Sequence, residues 1–366
     1  MAELRIEQLL REMVNRKASD LHLRVGVPPV YRINGALQRL FDVRIDSAMM
    51  DSFLDDIMNR DQKQRFEANK ECDFAVGARD MGRFRVNVFR QRGTIAVVIR
   101  HIKAVIPAFE DLHLPEVIRD LALTKRGLVL VTGTTGSGKS TTLASMIDYI
   151  NQKESVNVIT VEDPIEYLYR DNVAIISQRE IGVDTLSYAN ALRAALRQDP
   201  DVLLVGEIRD LETMQIALTA ADTGHMVFAT IHTTNAVETI HRVLSMYPPH
   251  QHDEVRLLLA EVLAGIISLR LLPTKDGKGR VPAAEILVNT GAIKEYIQDK
   301  NKIDMVEQAV AEGHIQYHSQ TFDQALLELY QNEQISLETA MNAATNRDDF
   351  DLKIRGISGT SDRGWM

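Results

Sequence analysis

The chain has 366 residues, 45% apolar and 25% charged, a composition that belongs to a folded globular protein of about two or three domains. Its formal charge is −9, from 42 basic and 51 acidic side chains with no dense basic block, which argues against a large sequence-independent nucleic-acid surface. The single cysteine, Cys72, rules out an internal disulfide and a tetracysteine zinc site and fits a reducing cytosol.

The first residues, Met1-Ala2-Glu3-Leu4-Arg5-Ile6-Glu7, are charged and do not read as a signal peptide. The best apolar run, Val262-Leu263-Ala264-Gly265-Ile266-Ile267-Ser268-Leu269, is too short to cross a bilayer and is bounded by Glu261 and Arg270. Direct membrane insertion is therefore not expected, and any membrane role would be peripheral.

Ile6, Leu9, Leu10, Met13 and Val14 recur at helical spacing and predict an amphipathic opening helix. Alternating Leu21-His22-Leu23-Arg24-Val25 predicts a strand, and Asn34-Gly35 between two further strands predicts a hairpin with a type I′ turn. A helical stretch over 49–66, then Asp73-Phe74-Ala75-Val76 and a strand pair over 82–102, complete a small α+β domain at 1–103.

In that last pair, a two-residue turn at Arg92-Gly93 sets Gln91 against Thr94. Phe84, Val86 and Val88 then share an apolar face with Ile95, Val97 and Ile99, while Arg85 falls directly across from Arg100 on the other face. Like charges facing each other destabilise a sheet unless they splay into solvent or an anion joins them. Both readings stand at this point.

Two prolines and Phe109-Glu110-Asp111 mark 104–115 as a linker. From Glu116 strands alternate with helices, the pattern of a parallel α/β sheet, and this domain is expected to run over 116–355. Strands are expected over 156–161, 173–178, 202–205 and 226–231, and helices over most of 236–345. The small, polar tail 356–366 reads as disordered.

The chemistry begins at Gly133-Thr134-Thr135-Gly136-Ser137-Gly138-Lys139-Ser140, which follows the apolar run Leu128-Val129-Leu130-Val131 and precedes a helix-like segment from Thr141. Strand, glycine loop and helix make G-x-x-x-x-G-K-[ST] a phosphate loop rather than a chance glycine turn. Its glycines let successive N–H groups point at an anion, and the helix N-terminus adds its positive dipole end. Lys139 is expected on the β- and γ-phosphates of ATP and Ser140 on Mg²⁺.

Two acidic clusters follow strands, where ligands bind in open α/β sheets. The first, Val161-Glu162-Asp163-Pro164-Ile165-Glu166, offers three carboxylates to hold Mg²⁺ through water or to polarise an attacking water. The second, Val202-Leu203-Leu204-Val205-Gly206-Glu207, resembles a Walker B strand in which Gly206 stands for the usual Asp. Mg²⁺ is therefore expected at Ser140 with Glu207 or the first cluster, partly through water. Around strand 226–231, His225 reads as a local cap, whereas His232 at the carboxyl edge is placed to sense the γ-phosphate.

Together the boxes at 133–140, 161–166, 206–207 and 224–233 resemble the secretion-type ATPase family, and Ser19-Asp20-Leu21-His22-Leu23 with one N-terminal domain is similar to its type IV pilus retraction branch. The resemblance covers nearly the whole chain. It implies a PAS-like N-terminal domain, a RecA-like P-loop domain and a homohexameric ring that hydrolyses ATP. It also implies that Glu166 activates water, that Glu207 is the Walker B acid and that Arg85 and Arg100 contact phosphates. The implied partners are an inner-membrane pilus platform protein and other pilus motor ATPases, at the cytoplasmic face of the membrane.

The assembly branch usually adds a tetracysteine zinc insertion and further N-terminal domains, for which one cysteine and roughly a hundred residues before the linker leave no room. Ala292-Ile293-Lys294-Glu295-Tyr296-Ile297-Gln298-Asp299 and Leu269 depart from the retraction pattern and keep an accessory retraction paralogue open. A RecA-like nucleic-acid translocase is the rival from another class, and the acidic balance argues against it.

Overall fold

The computed structural model describes residues 4–102 and 105–355. The expected tail at 356–366 lies outside them. The chain divides into two compact units: one runs to Val105 and includes residues 166–168, and the other begins at Ile106 and takes the rest.

The first unit opens with helix α1 (Ile6–Asn15), which buries Ile6, Leu9, Leu10 and Met13. Strands β1 (Asp20–Arg24), β2 (Val30–Ile33) and β3 (Ala36–Arg39) follow, then α2 (Ser47–Ile57) and α3 (Arg60–Asn69), whose first turns are capped by the side chains of Asp46 and Asn59. Strands β4 (Glu71–Ala78), β5 (Gly82–Gln91) and β6 (Thr94–Ile102) complete an antiparallel sheet in the order β3-β2-β1-β6-β5-β4. The turns at Asn34-Gly35 and Arg92-Gly93 have positive φ at both central residues, 48° and 82° in one and 48° and 79° in the other, as type I′ hairpins require. That turn sets the expected register, with Gln91 against Thr94 and Arg85 against Arg100. Phe84, Val86, Val88, Val97 and Ile99 are buried on the face toward the helices.

The second unit is built on a seven-stranded sheet in the order β13-β12-β7-β11-β10-β8-β9. Helix α4 (Val117–Ala122) precedes β7 (Gly127–Thr132), then come α5 (Lys139–Lys153), β8 (Asn157–Glu162), β9 (Ile175–Glu180), α6 (Tyr188–Ala195), β10 (Val202–Val205), α7 (Leu211–Asp222), β11 (Met226–Ile231), α8 (Ala236–Ser245), α9 (His252–Val262), β12 (Leu263–Pro273) and β13 (Arg280–Val288). Every pairing is parallel except β12 with β13. Strands β7, β10 and β11 are buried along their whole length, because helices cover both faces. Leu128 and Leu130 enter one core and Val129 and Val131 the other, the period of two that a strand imposes.

The helices expected across most of 236–345 are interrupted by the β12–β13 hairpin, which corrects that expectation. Gly265 to Leu269 is buried on both faces beside β7, and such a run carries no polar period to separate strand from helix. Phe109, within the expected linker, is buried under the Arg119 guanidinium, and Ser145 Oγ donates to the Pro107 carbonyl. Among the described residues no helix is long and apolar enough to cross a membrane.

Candidate nucleotide site

Four parallel strands, β7, β8, β10 and β11, end at one edge of the sheet, and the chemically marked residues of the second unit, His225 apart, collect there. The loop after β7 is shaped by its glycines. Gly133 has φ +136°, and a Cβ on it would stand 2.4 Å from Ser137 Oγ and 2.5 Å from the Leu269 carbonyl oxygen. Gly138, at φ +106°, is the N-cap of α5 and leaves the first turn of that helix without a side-chain cap. Lys139 is 8% exposed, and its ammonium donates to the carbonyls of Gly133 and Thr134 at 2.8 and 2.9 Å. Ser137 Oγ is buried with no hydrogen-bond partner among the described residues.

Uncapped N–H groups at a helix start, a buried ammonium and an orphaned hydroxyl fit a polyphosphate. Thr134, Thr135 and Gly136 are exposed at the loop tip, and Ser140 and Thr141 are half-buried in the first turn of α5. Among the described residues no group of three or more His, Cys, Asp or Glu side chains is placed to hold a metal. Mg²⁺ takes only one or two protein ligands beside phosphate oxygens, so a hydroxyl at Ser140 and a carboxylate at Glu207 suit it.

Glu207, just past β10, accepts from Arg209 at 2.6 Å and lies 3.2 Å from His232 Nε2, just past β11. Burial pushes its carboxyl up, but the hydrogen bond from Arg209 and the neighbouring charges of His232 and Arg209 outweigh that and hold it below the usual range. At the end of β8, Glu162 accepts from Thr160 at 2.7 Å and from Gln178 at 3.1 Å. Asp163 is exposed next to it, ahead of the cis bond to Pro164.

Glu166 is exposed and falls among residues 166–168 of the first unit. His225 lies at the opposite end of β11 from His232, and its Nδ1 is 2.9 Å from the Ala220 carbonyl at the end of α7.

In the first unit Arg85 and Arg100 are paired across β5 and β6, and each has an acid on its outer side. Arg100 donates to Asp20 at 2.9 Å, and Arg85 is 3.9 Å from Asp73. The like-charge pair is thus flanked by carboxylates on the neighbouring strands.

Sequence reasoning passed over Arg209, which holds Glu207, and Tyr188 at the head of α6, whose hydroxyl lies 3.0 Å from where a Cβ on Gly206 would sit. Arg209 could have been found as a cation two residues beyond the strand-end acid. Nothing local marks Tyr188.

The sequence model of the type II/IV secretion system protein family matches residues 1–354. The chain is 41% identical to the type IV pilus ATPase PilU of Pseudomonas aeruginosa over 96% of its own length and 92% of the relative's. It is 42% identical to the type IV pilus retractation ATPase PilT of the same organism over 94% and 99%. The crystal structure of the pilus retraction motor PilT with bound ADP superposes with a TM-score of 0.89, at 46% identity, covering 94% of this chain and 98% of that one. Its α/β fold, RecA-like in the second unit, is that of these ATPases. The chain belongs to the type II/IV secretion system protein family.

Proposed function

We propose that the chain is an ATP hydrolase that powers retraction of a type IV pilus. The observation that carries this is the phosphate loop at the carboxyl end of β7 with the Glu207–His232 pair on the same sheet edge, in a chain similar over nearly its whole length to a retraction motor that binds ADP.

In this reading the backbone of 133–141 and the Lys139 ammonium bind the β- and γ-phosphates. Ser140 and Glu207 would hold Mg²⁺, partly through water, and the bound cation would supply neutralisation of phosphate charge. Glu166 orients the attacking water and takes its proton, with Glu162 and Asp163 supporting the same strand end. His232 fixes the Glu207 carboxylate and reads the γ-phosphate. Arg85 and Arg100 serve as further phosphate contacts.

The machine is proposed to be a homohexamer that works with an inner-membrane platform protein and other pilus motors at the cytoplasmic face. Deleting the gene and scoring piliation tests the direction of movement. Excess, non-retracting pili are expected, and bald cells would overturn retraction in favour of assembly. Near-equal identity to PilT and PilU supports a second reading, an accessory retraction ATPase. Turnover by the isolated chain is expected for the first and very low turnover for the second.

A further inference from the structure

A side chain at position 206 would crowd three neighbouring atoms. Gly206 N donates to the Val161 carbonyl at 2.7 Å, and its own carbonyl accepts from Thr230 Oγ1 at 2.5 Å, so the residue is fastened to strand ends on both sides. A Cβ there would lie 3.2 Å from Glu162 Cα, 3.2 Å from the Val161 carbonyl and 3.0 Å from the Tyr188 hydroxyl. The first two are backbone atoms that cannot yield without moving the end of β8. The nearest atom to the point where a Walker B aspartate would start its side chain is a phenol oxygen from another element.

Tyr188 is held there by its helix. It is the first residue of α6, whose cap Ser187 accepts from Asn190 N at 3.2 Å, and its ring packs on the core beneath. Burial, and then the charges of Asp163 and Glu207, push the phenol up; Arg209 works against them and Glu162 with them. The hydroxyl, a hydrogen-bond donor, thus stands beside Gly206 with the charges of Asp163, Glu207, Arg209 and Glu162 around it.

We propose that Tyr188 is a positioning residue of the nucleotide site: its hydroxyl supplies, from α6, the polar contact that position 206 cannot, toward Glu207 and the water around a nucleotide-bound divalent cation. This rests on the ATPase reading.

Tyr188→Phe tests it, because the ring and its packing stay while the hydroxyl goes. Thermal unfolding is expected to match that of the wild type. Affinity for a fluorescent ADP analogue without metal is expected to be unchanged, while the gain in affinity on adding Mg²⁺ shrinks about tenfold, the weight of one hydrogen bond to a charged group. The KM for ATP in the presence of Mg²⁺ is expected to rise by a similar factor. A folded variant that keeps the full Mg²⁺ gain overturns the proposal alone. A wild-type chain that binds no Mg-nucleotide overturns the ATPase reading and the proposal together.

Discussion

Glu207 and His232 face each other from the ends of two neighbouring parallel strands, with carboxylate Oε1 and imidazole Nε2 3.2 Å apart. Arg209 holds the second carboxylate oxygen, so Glu207 is clamped from two sides and kept ionised despite being largely buried. Removing His232 or Arg209 leaves the effect of burial less opposed, and the carboxyl must rise. His232→Ala is therefore expected to move the acid limb of the kcat–pH profile to higher pH. Glu207→Gln is expected to lower kcat by about 100-fold or more while nucleotide still binds. An acid limb unmoved by His232→Ala in a folded variant would remove the imidazole from the site.

The Lys139 ammonium is buried against the two carbonyls that open the phosphate loop. Lys139→Ala removes the one cation inside that loop while β7 and α5 keep their packing. Turnover is expected to be abolished and affinity for a fluorescent ADP analogue to fall by about 100-fold, with thermal unfolding near that of the wild type. Retained ATPase activity would sink the assignment of the loop.

These residues were legible in the sequence because their causes are local. The glycines at 133, 136 and 138 announce positive φ, and Arg92-Gly93 fixes a register that nine residue pairs then propagate. The β12–β13 hairpin was not legible, since an apolar run buried on both faces has no period, and its strand state comes from pairing with β7. Gly206 reads as a missing aspartate until the approach of Tyr188 and the end of β8 explain it, and that approach depends on how α6 packs. Asp20 beside Arg100 escaped for the same reason: 80 residues separate them along the chain and one strand register joins them.

Asp20 accepts from Ser19 and Arg100 and is 3.8 Å from Arg32. Burial pushes its carboxyl up, but those two hydrogen bonds and the charge of Arg100 outweigh it and set it below the usual 3.8. A folded value below the unfolded one contributes stability that is present above the unfolded value and lost as pH falls through the folded one. Asp20→Asn is expected to destabilise the first unit at neutral pH, with the difference from the wild type closing below about pH 4. Thermal unfolding across that range reads this directly. In contrast, Arg85 stands 3.9 Å from its acid, and Arg85→Ala is expected to leave stability intact while lowering kcat with nucleotide binding kept. Unchanged turnover would make Arg85 a solvated surface charge.

Glu285 lies in the middle of β13, 7% exposed, and its Oε1 accepts from the Ala236 amide at 2.6 Å and from Ser268 Oγ at 3.4 Å. Ser268 in turn accepts from Thr132 Oγ1 at 3.0 Å, so one buried carboxyl is linked both to the strand before the phosphate loop and to the helix after His232. Burial pushes Glu285 up to about 7, with Glu307 adding to the rise and the Ala236 amide and Arg270 opposing it. Because the folded value lies above the unfolded one, the protonated form stabilises the fold, fully below the unfolded value of 4.5 and progressively less as pH rises through about 7. Glu285→Gln keeps an acceptor for Ala236 and cannot ionise. Relative to the wild type, the variant is expected to gain stability steadily from about pH 4.5 to about pH 7, by up to about 3 kcal/mol, and then to hold constant. Thermal midpoints of the two proteins across that interval check it, and parallel curves would show that Glu285 titrates as an ordinary exposed carboxyl.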